Sequence, residues 1–181
     1  MIKEAIEVYF KKLDSLWIEK RKLHPLIPYT EKMPKFMYIG EVNNSNYIQW
    51  KISKNENTIN FNNISSCIGI ELHNDLKEYF SSYYFLKMVG IFNNVKLIFT
   101  PITPLVDILI FLRERINIAA VQGRDINKIE IGFAEIDGQD SFLLLFNNLT
   151  GCMEVMDSDS LESFVIANSL YDLIINMSPR C

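Results

Sequence analysis

The 181 residues are 49% hydrophobic and 22% charged, the balance of a globular chain and not of a disordered one. A formal net charge of −4 is a poor basis for gripping a nucleic-acid backbone. Three Cys, an odd number, argue against a disulfide framework and fit a reducing compartment.

Residues 2–23 predict an amphipathic helix. Ile2, Ala5, Ile6, Tyr9, Phe10, Leu13, Leu16 and Trp17 recur at spacings of three and four, and Pro25 and Pro28 stop it. The acidic start, with Glu4 and Glu7, lacks the apolar run of a signal peptide, and nothing approaches the roughly 20 apolar residues of a spanning helix. Phe36–Gly40 and Tyr47–Ile52 read as a hairpin around the polar turn Asn43–Asn46. The Asn-rich stretch Asn55–Ser66 reads as a surface loop and Ile68–Leu72 as a strand. Asn74 is the expected cap of a helix running to Met88, with Asp75 and Glu78 in its first turn.

Gly90–Phe92 and Val95–Thr100 flank Asn93-Asn94, a second hairpin signal. Leu105–Val121 predicts a largely buried helix. Ile129–Ile136, Phe142–Phe146 and Cys152–Met156 predict three strands, the first pair joined at Asp137-Gly138. Ser158 or Ser160 is the expected cap of a final helix to Met177. These elements describe one α+β domain over residues 1–181, an antiparallel-dominated twisted sheet flanked by about four helices.

Chemistry-bearing motifs are scarce. The chain has no Gly-rich phosphate loop, no Gly-x-Ser-x-Gly elbow, no Cys-x-x-Cys and only two His. Glu71-Leu72-His73-Asn74-Asp75 is the one cluster that suggests a metal-dependent or acid–base enzyme. If Leu72 ended a strand, Glu71 and His73 would share a side with Asp75 beside them. The competing reading is a helix start whose acids satisfy backbone N–H groups, with His73 on the rim. No cofactor is expected. Trp50 alternates with Gln49 along its strand and is expected to pack in the core, with an exposed aromatic anchor as the other reading.

Charge is unevenly distributed. Residues 1–54 hold ten Lys/Arg against six Asp/Glu, whereas 129–181 hold Arg180 alone against nine acids. The late acids, Glu130, Glu135, Asp137, Asp140, Glu154, Asp157, Asp159, Glu162 and Asp172, make either a solvated face or a surface that recruits a basic partner.

The order of elements resembles a family. Phe133-Ala134-Glu135-Ile136, then Phe146-Asn147-Asn148-Leu149-Thr150-Gly151-Cys152-Met153-Glu154, then Val165-Ile166-Ala167-Asn168-Ser169-Leu170 and Met177-Ser178-Pro179 resemble the closing half of the Syd family, the SecY-interacting proteins. Upstream, Leu16-Trp17, the Pro25/Pro34 spacing, Gln49-Trp50, Ile70-Glu71-Leu72-His73 and the aromatics of 79–85 fall in matching order. The resemblance implies an α+β scaffold shared with bacterial toxin-immunity proteins and yeast cell-wall regulators. It implies a cytoplasmic, non-enzymatic protein that reaches the inner face of the membrane only through the basic cytoplasmic loops of SecY, held on an acidic concave surface. It equally suits an immunity protein that neutralises a secreted toxin such as a nuclease. The residues expected to carry binding are Glu71, Asp75 and Glu78 on one side, with His73 beside them, and Glu135, Asp137 and Glu154 on the other. Trp50 is the expected aromatic wall.

Overall fold

The computed structural model describes residues 1–180, except for the side chains of Asp140 and Ser141. Helix α1 covers Ile2–Arg21 and buries Ile2, Ala5, Ile6, Tyr9, Phe10 and Leu13, the stripe its sequence periodicity demands. Lys20 and Arg21 sit in its last turn, where cations suit the helix dipole, and Lys22 (φ 59°) turns the chain out.

Strands β1 (Leu26–Pro28), β2 (Tyr38–Ile39) and β3 (Tyr47–Trp50) form a small sheet with β3 in the centre. The expected hairpin is therefore present but shorter, because Lys35–Met37 form a 3₁₀ turn. Strand β4 (Ser53–Lys54) pairs with β5 (Tyr83–Tyr84).

The Asn-rich segment is not the expected loop. Phe61–Ile68 form helix α2, and Asn60 caps it by accepting a hydrogen bond from the Asn63 N–H. Its Asn residues face solvent while Ile64 and Ser65 are buried, so polarity hid a helix whose buried side is narrow. Ile68–Leu72 is likewise not a strand, since Ile68 ends α2 and Gly69 (φ 71°) breaks it. Helix α3 covers Asn74–Ser82 and is capped by His73, whose Nδ1 accepts from the Asp75 N–H. It ends at Ser82, not Met88, because Tyr83, Tyr84 and Phe85 are all buried. An amphipathic helix cannot hide three consecutive aromatics on one side, whereas an extended chain between two layers can.

The main sheet has seven strands in the order β11-β10-β9-β8-β7-β6-β12. These are β6 (Met88–Phe92), β7 (Val95–Phe99), β8 (Lys128–Ile136), β9 (Gln139–Asn147), β10 (Met153–Asp157), β11 (Ser163–Ala167) and β12 (Ser178–Pro179), each antiparallel to its neighbour. Asn93 and Asn94 both take positive φ, as do Asp137 and Gly138, so both hairpins use the two-residue turn whose twist matches the strands. Beneath the sheet, Leu97, Phe99, Ile129, Phe146, Met153 and Val155 pack into one core with α1, α3 and the final helix α5 (Leu170–Asn176).

Two further expectations are corrected. Helix α4 spans Ile108–Val121, capped by Asp107, and is not largely buried: only Leu112 and Ala119 are enclosed, while Val121 is 89% exposed. The helix is apolar around most of its circumference but meets the fold on one side. The predicted helix 158–177 is instead β11 followed by α5. Phe164-Val165-Ile166 is a run of β-formers, and Ser169 caps α5 by accepting from the Asp172 N–H. The class is α+β with an antiparallel sheet, as expected, carrying five α-helices among the described residues where about four helices were expected.

Candidate protein-binding surface

The hairpin register fixes where the acids lie. Strands β8 and β9 meet at Asp137-Gly138, while Asp157 on β10 stands opposite Phe142 near the start of β9. The Asp137 turn and the β10–β11 turn therefore occupy the same end of the sheet, two strand spacings or about 10 Å apart. Glu135, Asp137, Asp157, Asp159 and Glu162 gather there. At this end Asp157 folds its own turn, its carboxylate accepting from the N–H groups of Asp159 and Ser160, which hold it below the ordinary Asp range.

Glu71, His73 and Asp75 lie at the opposite end. The Asn148 side chain joins this segment to the β9–β10 turn: its Oδ1 accepts from the His73 N–H at 2.8 Å, and its Nδ2 donates to the Glu71 carbonyl at 2.8 Å. The His73 ring packs edge-on to Phe146 and crowds Gly151 (φ 76°), where a Cβ would lie 3.1 Å from the ring. Glu71 and His73 share no strand face, and among the described residues no three His, Cys, Asp or Glu side chains converge as a metal site would require. Glu78 sits one turn further along α3 and accepts from the Met1 amino group (2.9 Å) and the Lys3 N–H (3.0 Å). Glu135 and Asp137 are thus separated by the length of the sheet from Glu71 and Asp75, whereas Glu154, opposite Leu145 at the start of β10, lies at the Glu71 end.

Many of these carboxylates are already matched within the fold. Lys77 pairs with Glu71 at 2.5 Å, Lys96 pairs with Glu135 across β7 and β8, and Arg115 from α4 reaches Glu130. Glu154 is buried on the second face of the sheet and takes Lys128 (2.6 Å), Asn147 Nδ2 (2.8 Å) and Ser163 Oγ (3.0 Å). Burial raises its pKa, but these hydrogen bonds and the ammonium outweigh burial and hold the carboxyl below its ordinary range. By contrast, among the described residues Asp75, Asp137, Asp157, Asp159, Glu162 and Asp172 lie in no ion pair.

Trp50 is 2% exposed and meets Phe10 edge to face at 5.7 Å, the core role its strand alternation favoured. It lines the inside of a cleft of about 450 Å³ beside Phe10, Asp14, His24 and Tyr83, and offers no free aromatic wall at the protein surface. The acidic turn Asp157-Ser158-Asp159-Ser160 was placed on a helix start by the sequence. The signal that would have marked it as a turn is the pair of β-former runs on either side, Met153–Asp157 and Ser163–Ala167.

A family model described as Syd protein (SUKH-2) matches residues 3–179. The chain belongs to the Syd family. No curated protein matches it. Syd membership supports a protein that works by binding another protein. Among the described residues no helix is long and apolar enough to cross a membrane.

Proposed function

We propose that this Syd-family chain is a non-enzymatic, cytoplasmic binding protein that holds basic cytoplasmic loops of the SecY translocase, reaching the membrane face only through that partner. The observation that carries the reading is the set of free carboxylates at one end of the sheet. Among the described residues, Asp137, Asp157, Asp159 and Glu162 have no internal cation, whereas Glu71, Glu78, Glu135 and Glu154 are already paired. A site for Lys/Arg needs charges that the fold has not neutralised, and an unpaired acidic turn supplies them with long-range attraction as well. In this form the binding group is Asp137 with the β10–β11 turn, Glu135 contributing through its share of the Lys96 pair, and Glu71, Asp75 and Glu78 form a separate patch.

The test is co-sedimentation with SecY-enriched membranes. Binding at low salt that is released at moderate salt is expected, since exposed charges are screened beyond about 10 Å at 0.1 M. Binding insensitive to salt, or none, overturns the electrostatic reading. The SUKH-2 description favours one second reading, an immunity protein for a secreted toxin whose basic face meets the same acids. Protection of cells that co-express such a toxin, without binding to SecY membranes, would decide for it.

A further inference from the structure

Strand β11 is the outermost strand of the main sheet and pairs only with β10. The direction of its backbone groups follows from one hydrogen bond. The Asp157 N–H donates to the Glu162 carbonyl at 3.0 Å, so these two form a hydrogen-bonded pair. Alternation makes Val155/Phe164 the next such pair and turns the N–H and C=O of Ser163 and Val165 away from β10. Among the described residues nothing outside the β10 ladder bonds to those four groups.

The edge is also apolar. Phe164 is 49% exposed and Val165 is 55% exposed, and strand alternation puts them on opposite faces. Edge strands are usually blunted by Lys or Pro, and Ser163–Ala167 contains neither. A cleft of about 360 Å³ lies along the second half of the strand, between Val165, Ile166 and Ala167 and Phe92 of β6, with Asn168 and Asp172 at its end. Five residues span about 17 Å. Carboxylates that lie in no ion pair among the described residues stand beyond both ends of that span: Asp157, Asp159 and Glu162 before it, Asp172 after it.

We infer that β11 receives an extended segment of the protein partner as an eighth strand, apolar at its centre and carrying Lys or Arg towards both ends. This inference rests on the binding function proposed above and specifies how the partner is held. The free backbone groups supply hydrogen bonds that any extended chain can use, and Phe164 and Val165 cover its alternate side chains. The bracketing acids select the sequence. They also disfavour a second copy of this chain, because antiparallel pairing of two β11 edges would set the acidic turn of one against Asp172 of the other.

The probe is a fluorescein-labelled peptide, acetyl-Lys-Lys-Val-Thr-Val-Thr-Val-Lys-Lys-amide, titrated with the full chain and read by anisotropy. Saturable binding is expected. It should weaken about tenfold when every central amide of the peptide is N-methylated, and be lost when its Lys are replaced by Glu. Val165→Pro removes an outward N–H at a position where an edge strand tolerates proline, and should weaken the peptide to a similar degree without lowering Tm. Equal affinity for the methylated and unmethylated peptides overturns strand addition. If Val165→Pro keeps full salt-sensitive binding to SecY membranes while neutralising Asp157, Asp159 and Glu162 removes it, the edge is refuted and the acidic reading stands. If wild-type protein binds neither membranes nor peptide, both fall.

Discussion

The Lys128 ammonium lies 2.6 Å from the Glu154 carboxylate, and both side chains are largely withdrawn from water on the second face of the sheet. The pair also receives Asn147 from β9 and involves Ser163 from β11, so it ties together four adjacent strands. Removing one partner leaves the other charge desolvated. Glu154→Ala should therefore cost about 3 kcal/mol in urea unfolding, while the paired change Lys128→Met/Glu154→Leu recovers most of that loss.

The same carboxyl should shape the acid response. Its folded pKa lies below that of the unfolded chain, about 4.3. The stability it contributes is present above that value and is lost as pH falls through the folded pKa. Tm measured between roughly pH 6 and 2.5 should drop more steeply in wild type than in Glu154→Gln. Parallel curves would show that the pairing carries no linked proton.

Trp50 separates a core role from an anchor role. Trp50→Ala should cost about 3–5 kcal/mol, the result of emptying a buried aromatic site. Trp50→Phe should retain the fold and keep membrane binding. A loss of binding in Trp50→Phe at unchanged Tm would restore the aromatic-wall reading.

Tyr9 ties α1 to strand β6. Its hydroxyl donates to the Val89 carbonyl at 2.9 Å and accepts from the Val89 N–H at 3.1 Å, and burial pushes its pKa up. In Tyr9→Phe the Arg180 N–H still serves the carbonyl, but the Val89 N–H loses its partner. The expected loss is about 1–2 kcal/mol in urea unfolding, with faster amide exchange at Val89.

Charge placement gives a paired comparison. Asp157→Asn/Asp159→Asn/Glu162→Gln should weaken low-salt membrane binding about tenfold and flatten its salt dependence. Tm should hold, because the amide that replaces the Asp157 carboxylate retains a carbonyl oxygen for the turn. Glu71→Gln/Asp75→Asn, at the opposite end, should leave binding within about twofold. A reversed result would move the binding surface to α3.

Much of the fold was legible from local rules. The stripe of α1 needed only its 3.6-residue period, and the Asn93-Asn94 and Asp137-Gly138 hairpins only the positive φ that their turns require. The misreadings have separate causes. Asn55–Ser66 looked like a loop because Asn and Ser dominate it, although Phe61, Ile64 and Ile68 keep the helical i, i+3, i+7 spacing and pack on the core. Residues 158–177 looked like one helix because the apolar residues of β11 and α5 fall by chance at helical spacing.

The amino-acid order alone determined the class, strands β8 to β10, the lack of a catalytic motif and the acidic tail of the chain. Those properties depend on neighbours a few positions apart. Which acids remain free was decided only by the tertiary structure. Lys96 meets Glu135, Lys128 meets Glu154 and Arg115 meets Glu130 through strand register and helix docking that no short window contains. The same non-local pairing left β11 on the edge and sent Glu71 and Asp137 to opposite ends of the sheet, because each hairpin reverses the chain and so sorts its turns between two ends.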